Sequence, residues 1–326
     1  MGEPPSASSP GLCVVSLGGN AILRRGEKGT VEEQFANARA CTAQVARMLE
    51  AGQRVVITHG NGPIVGNLVI QNEAARNTIP PMPLYICDAD SEGGLGFMIQ
   101  QTLYNHLTKI RHVRDVVALI TQVVVSPDDP AFRTPTKPIG PYYTAEEAEL
   151  LRQAKGWTLA EDSGRGHRRV VPSPHPLRIV EIEVIRLLAL EGVVVIAAGG
   201  GGVPVMEGPT GDLAGVDAVV DKDLSTGVLA RQLGAARILN LTSVDRVYLD
   251  YGRATQRGLG DVTLDEIRRY RAEGHFAPGS MGPKIEGAIH FLEGGGCEVV
   301  ITSPELAVEA MEGRAGTRIR GLAGSG

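Results

Sequence analysis

Short β-branched runs recur along this chain with amphipathic stretches between them, and that alternation restricts the fold to a largely parallel sheet covered on both faces. The runs predict buried strands at Leu12–Leu17, 54–58, 116–120, 193–197, 238–241 and 298–301. Between the first two, Val31, Phe35, Ala38, Val45, Met48 and Leu49 share one helical face, and Gly52 follows as a stop. Ile179, Ile182, Ile185, Leu188 and Ala189 predict another helix, ended by Gly192, and further helices fit 225–233 and 284–292. Residues 126–176 break the rhythm, holding eight of the twenty prolines and the single tryptophan, Trp157. Proline density of that kind predicts a lid-like subdomain, 126–172, inserted in one α/β domain that spans 11–326. Residues 1–10 have neither a basic nor an apolar segment and are expected to be a disordered tail rather than a signal peptide.

Three predicted strands run into glycine-rich loops: Gly18-Gly19-Asn20, His59-Gly60-Asn61-Gly62-Pro63 and Gly199-Gly200-Gly201-Gly202. In a parallel sheet such loops line one crevice at the carboxyl edge. Glycines there let main-chain N–H groups approach an anion, and a following helix N-terminus adds a favourable dipole. Any one of these loops is explained by turn chemistry alone; three on one edge point to a phosphate site. Neither a GxxxxGK[ST] loop nor a GxGxxG fingerprint is present, so phosphate charge would have to be met by lysines from elsewhere.

Arginine outnumbers lysine 26 to 6, yet Lys137, Lys222 and Lys284 all sit in constrained Pro-, Asp- or Gly-rich segments. Lysine is a compact, mobile point charge and arginine a planar fork, which suits lysine to following a phosphoryl group in transit. Asp221-Lys222-Asp223 opens a predicted helix, where acids are stabilised by the dipole. An Asp there is expected to cap the helix, or to orient the lysines or a metal-bound water. A net charge of -5 and a pI of about 5.9, with only local pairs at Arg168-Arg169 and Arg268-Arg269, argue against a nucleic-acid surface. The longest strongly apolar run, 193–198, is too short to span a bilayer. Four scattered cysteines (Cys13, Cys41, Cys87, Cys297) show no metal spacing and are expected to be buried, reduced thiols in a cytoplasmic protein.

Several strings together resemble the carbamate kinase branch of the amino-acid kinase family: Leu17-Gly18-Gly19-Asn20-Ala21, Thr58-His59-Gly60-Asn61-Gly62-Pro63, Pro135-Thr136-Lys137-Pro138-Ile139-Gly140-Pro141, Arg169-Val170-Val171-Pro172-Ser173-Pro174, Asp221-Lys222-Asp223-Leu224, and the run from Phe276 to Lys284. The resemblance covers about residues 12–320. It implies an αβα sandwich around a mainly parallel sheet, with a protruding subdomain at 126–172, and a homodimer. It implies reversible phosphoryl transfer between ATP and carbamate, with Mg, in which carbamoyl phosphate and ADP are the other pair. By the same resemblance, Lys222 and Lys284 flank the transferred group, Asp223 holds them, and Lys137 reaches the substrate from the insertion. Gly18, Gly19, Asn20, Gly60, Asn61, Gly62, Gly200 and Gly201 are expected at the substrate and phosphate site. Tyr248 and the Met281-Gly282-Pro283 turn are expected at the adenine end. No residue is assigned as a metal ligand, and neither nucleic acid nor membrane is an expected partner. Many wider relatives carry a lysine two residues before the first Gly-Gly, where this chain has Ser16; the carbamate kinases lack that lysine too, and by the resemblance Lys222 is expected to supply the charge.

Against the pattern of that family, Ser243 stands where Asp is common, Ile64 where Gln is, and Thr134 where Asn is. Asp88, Asp90 and Glu92 stand where neutral residues are usual, with Gln at the last. These three acids are expected to cap the helix that runs to His106; a second reading has them repel an anionic substrate or adjust a subunit interface. Two rival functions stay open at this point: another acid kinase on the same fold, and a silent nucleotide-binding protein.

Overall fold

A computed structural model describes residues 11–19, 22, 26–112, 114–161 and 166–321. Eight strands form the central sheet in the order Asp261–Thr263, Thr317–Arg320, Glu298–Thr302, Arg237–Leu241, Leu12–Leu17, Arg54–His59, Val194–Ile196 and Val116–Ala118. All neighbours are parallel except Glu298–Thr302 with Thr317–Arg320. The alternation of side chains along each strand divides the core in two. Val14, Val56, Val195, Ile238 and Val299 point to one face, where Val228, Leu229, Ile285 and Ile289 of the helices Lys222–Leu233 and Met281–Glu293 cover them. Cys13, Val15, Val55, Ile57, Leu239 and Val300 point to the other, under Val45 and Leu49 of Val31–Glu50 and Leu95, Ile99 and Leu103 of Leu84–Lys109. Both faces are apolar, so the strands read as continuous hydrophobic runs. The result is the expected αβα sandwich.

Strand boundaries shift by at most two residues from those the sequence predicts, and the helices Lys222–Leu233 and Met281–Glu293 each begin three residues before their expected starts. Ile179 is the one predicted helical position with a different fate. It ends the strand Pro176–Ile179, and the helix begins at Ile182. The Val31–Glu50 helix starts at a capping box of Thr30 and Glu33, and Gly52 follows at φ +84°.

A second sheet, Leu213–Gly215, Val203–Glu207, Gln122–Val125 and Pro176–Ile179, carries the proline-rich segment. Its two roots are paired strands, Gln122–Val125 and Pro176–Ile179, so the chain between them leaves and re-enters at one point. Within the segment, Lys137–Tyr143, His167–Val171 and Leu159–Glu161 form a three-stranded antiparallel sheet backed by the helix Ala145–Lys155. Ile139 and Val171 pack with Val65, Leu84, Cys87 and Val219 of the main body. Gly66 lets that contact close: a Cβ there would lie 2.5 Å from Gly140 N. The tail 1–10 and Asn20 lie outside the described residues. Of the four cysteines, Cys13, Cys41 and Cys87 are buried and Cys297 is exposed, contrary to the expectation of four buried thiols.

Candidate active site

Four adjacent parallel strands end in loops on one edge, and main-chain bonds lock these loops to one another. Gly18 N–H donates to Leu241 O (2.9 Å), Gly60 N–H to Leu17 O (3.0 Å), and Ala197 N–H to Ile57 O (2.9 Å). Above them two helix N-termini converge. Helices Lys222–Leu233 and Met281–Glu293 touch through glycine: a Cβ on Gly287 would meet Asp223 O at 2.4 Å, and one on Gly227 would meet Gly287 O at 2.8 Å. That close approach, which side chains would prevent, brings Lys284 to Asp223.

Asp223 is buried and accepts from both lysines, Lys222 Nζ on Oδ1 at 2.5 Å and Lys284 Nζ on Oδ2 at 2.8 Å. Burial alone would raise its pKa, but the two ammonium groups outweigh it and hold the carboxyl well below its ordinary value. Burial lowers the pKa of Lys222, Lys284 lowers it further, and Asp223 opposes both. Lys222 Nζ also donates to Ser16 Oγ at 2.8 Å, so a lysine from another helix occupies the position beside the first strand. Lys137, the first residue of the insertion's sheet, reaches Asp221 Oδ2 at 2.6 Å. Asp221 is at the same time the N-cap of Lys222–Leu233, its Oδ1 accepting the Asp223 N–H at 2.9 Å. Both readings of the Asp221/Asp223 pair therefore hold, one acid capping and the other gathering lysines. The tie between Asp221 and Lys137 was not legible in the sequence, because it joins segments 84 positions apart.

Two contiguous cavities meet at Gly19, Gly279, Ser280 and Lys284. The first, about 330 Å³, includes Gly18, Ser243, Arg246, Tyr248, Tyr251, His275 and Met281 in its lining. The second, about 260 Å³, includes Gly60, Asn61, Gly62, Lys137, Gly200, Asp221, Lys222, Asp223 and Pro283. An elongated site results, with tyrosines at one end and lysines at the other. Arg246, Tyr251 and His275 are additions to the sequence reading; their motif signal is nil, and only the fold gathers them.

Several expected positions need correction. Met281-Gly282-Pro283 is the first turn of a helix rather than a free turn. Met281 borders the tyrosine end, Pro283 borders the lysine end, and Gly282 packs against Ala277 O outside both linings. Gly18 lies at the tyrosine end. Gly201 is buried, with its N–H bonded to Ala198 O, and Gly199 and Gly202 N–H are bonded within the protein as well. The Gly201 and Gly202 donors close the turn and the Gly199 donor goes to the Glu92 carboxyl, so none of the three is left for a bound anion. Gly200 alone of that loop lines the lysine-end cavity. The acids Asp88 and Glu92 do not cap Leu84–Lys109, which begins behind Pro83; they are buried one and two turns inside it, while Asp90 is exposed. Ser243 borders the tyrosine end, Ile64 packs against the core, and Thr134 is exposed. Among the described residues no group of three or more His, Cys, Asp or Glu side chains is disposed to hold a metal ion, and no helix is long and apolar enough to cross a membrane.

A nucleotide-sized cleft at the carboxyl edge of a parallel sheet, with two lysines gathered by one aspartate, defines a phosphotransferase. The family model of the amino acid kinase family matches residues 11–303. The carbamate kinase of Pyrococcus furiosus is 48% identical over 308 residues, 94% of this chain and 98% of that protein. That of Thermococcus kodakarensis is 49% identical over 309 residues, with the same coverage. Among solved structures, the carbamate kinase from Giardia lamblia bound to AMP-PNP superposes with a TM-score of 0.90 at 42% identity, covering 96% of this chain and 99% of that one. The chain belongs to the amino acid kinase family, in its carbamate kinase branch.

Proposed function

We propose that the protein catalyses reversible phosphoryl transfer between ATP and carbamate, and makes ATP from ADP and carbamoyl phosphate in the reverse direction. The observation that carries this reading is the Lys222–Asp223–Lys284 cluster, which lines the lysine-end cavity and reaches its junction with the tyrosine end through Lys284. Phosphoryl transfer needs in-line positioning and neutralisation of the phosphoryl oxygens, with little covalent help. Two ammonium groups held 2.5 and 2.8 Å from one carboxylate are preorganised for that charge.

The nucleotide occupies the tyrosine end, between Tyr248, Met281 and His275, and the Giardia relative's complex with AMP-PNP supports a nucleoside triphosphate as substrate. Carbamate or carbamoyl phosphate occupies the lysine end, against Gly19, Gly60, Asn61, Gly62 and Gly200, with Lys137 above it. Mg²⁺ enters with the nucleotide as part of the substrate. Both oxygens of Asp223 already accept from lysines and both of Asp221 are engaged, which suits an ion held chiefly by phosphate oxygens.

Residues 126–172 act as a lid whose closure shields an acyl phosphate from water; the Lys137–Asp221 contact supports that role. The exposed apolar side chains Ile120, Val184, Leu187 and Leu190 offer area that a second copy in a homodimer would cover. A cytoplasmic location accords with four free cysteines. A coupled assay of ATP formation from ADP and carbamoyl phosphate tests the reading, and absence of ATP would refute it.

A further inference from the structure

The helix Leu84–Lys109 carries three buried polar side chains, Asp88, Ser91 and Glu92, behind the lysine-end cavity. Glu92 accepts two main-chain N–H groups: Thr121 on Oε2 at 3.1 Å and Gly199 on Oε1 at 2.8 Å. Thr121 in turn fixes the preceding residue of the same turn, Ala198. Its Oγ1 accepts the Ala198 N–H at 2.9 Å and donates to Leu119 O at 2.9 Å. One carboxylate and one hydroxyl thus hold the entry to a turn whose backbone is left-handed at Ala198 (φ +50°) and Gly200 (φ +68°). One helical turn earlier, Asp88 Oδ1 and Ser91 Oγ accept from Asn61 Nδ2 at 3.2 and 2.8 Å. Asn61 lies directly against Gly200, where a Cβ would come within 2.2 Å of its Nδ2, and both residues line the cavity. The transfer chemistry described above uses neither carboxyl.

We propose that Glu92 is a positioning residue for phosphoryl transfer: its carboxylate sets the turn that carries Gly200 to the carbamoyl-phosphate end, and only the ionised form holds both N–H groups well. The inference rests on the reading of the site given under Proposed function. An ionised carboxylate only accepts, so it matches two N–H donors; a protonated one presents an O–H to one of them. Burial opposes the ionised form and pushes Glu92 up to about 8, even though the Thr121 and Gly199 bonds lower it; Glu181 raises it further. The other charged or titratable groups about the cluster are Asp88 and His59. Burial raises Asp88 on the same helix, with Glu92 and Asp217 adding to it. His59, whose ring packs on Gly199 from the end of Arg54–His59, is lowered to about 4 by burial, with Lys222 lowering it too. Activity is therefore set to rise as Glu92 loses its proton.

Glu92→Gln keeps the shape and fixes the neutral state, so it mimics protonated wild type. The test is kcat and KM for carbamoyl phosphate and for ADP, from about pH 6 to about pH 9, in wild type, Glu92→Gln and Asp88→Asn. Taking the ratio of wild type to variant cancels titration of the substrate and of the lysines. The ratio for Glu92→Gln is expected near one at the acid end and roughly tenfold at the alkaline end, as for one charge-assisted hydrogen bond. The change should fall on kcat and on the carbamoyl-phosphate KM and leave the ADP KM alone, with Asp88→Asn keeping the wild-type profile. A ratio that stays constant with pH would overturn the inference. So would a change confined to the ADP KM, or a pH dependence that Asp88→Asn removes and Glu92→Gln keeps. Wild type without any turnover of carbamoyl phosphate would remove the functional reading and this inference with it, a result distinct from the constant ratio.

Discussion

Lys137 Nζ and Asp221 Oδ2 are 2.6 Å apart, and this ion pair ties the inserted sheet to the helix that carries Lys222 and Asp223. The Lys137 side chain is about one-third exposed, so the pair is partly solvated and its contribution to stability is small. Its value lies in placement. Lys137→Arg keeps the charge but brings a wider, planar head into the cavity beside Asp221. The expected result is a raised KM for carbamoyl phosphate with ADP affinity nearly unchanged. Wild-type kinetics in Lys137→Arg would remove Lys137 from the substrate site.

Lys222→Ala and Lys284→Ala should each reduce kcat by about 10²–10³, equivalent to roughly 2.7–4 kcal/mol of transition-state stabilisation. Nucleotide binding should change less, since charge on the phosphoryl group matters most during transfer. Each substitution also leaves Asp223 with one lysine instead of two. Steady-state kinetics with both substrates varied separates the effects, and turnover within a few-fold of wild type would contradict the assignment.

The glycines of the site fall into two groups that one substitution series distinguishes. A Cβ on Gly201 would sit 2.2 Å from Val220 O at φ +108°, whereas one on Gly62 meets nothing within 4 Å. Gly201→Ala should destabilise the fold by about 1–3 kcal/mol or more through overpacking and backbone strain. Gly62→Ala should leave the Tm near wild type and raise the KM for carbamoyl phosphate, because its methyl group enters the cavity. Equal thermal effects in the two variants would contradict the division.

Stability should fall as pH rises from about 6.5 to about 8. Glu92 has an ordinary value of 4.5 and is pushed up to about 8 in the native state. Between those values the native state binds more protons than the unfolded chain, so raising the pH favours unfolding. Asp88, also raised by burial, acts with the same sign. His59 opposes them at lower pH: it is lowered from 6.5 to about 4, so stability is lost as pH drops through that range. Above 6.5 the His59 contribution is fully present and no longer changes with pH. Calorimetric Tm across the upper window should decline in wild type and decline less in Glu92→Gln; equal slopes would contradict the placement of Glu92.

Hydrogen exchange across 126–172 should slow when nucleotide and carbamoyl phosphate are both bound, as expected of a closing lid. Unchanged exchange would argue against closure.

The sandwich was legible because strands buried on both faces leave β-branched runs, and helix stops such as Gly52 carry their own signal. Lys137, Lys222, Asp223 and Lys284 were legible through the strings that contain them. What the sequence hid is tertiary. Asp221 meets Lys137, Ser16 meets Lys222, and His275 joins the nucleotide end only once the chain is folded. Asp88 and Glu92 read as helix caps because nothing local distinguishes a capping acid from a buried one; the helix start at Leu84 decides it. The Gly199–Gly202 run reads as an anion cradle, yet two of its donors close the turn and a third is held by the Glu92 carboxyl.

The most direct test of the central claim is phosphorus NMR of the wild-type protein with ADP, Mg²⁺ and carbamoyl phosphate, run beside an identical sample with acetyl phosphate. The account predicts that the ATP resonances grow in step with loss of carbamoyl phosphate, and much more slowly with acetyl phosphate. Release of inorganic phosphate without ATP, or equal use of the two donors, would contradict it.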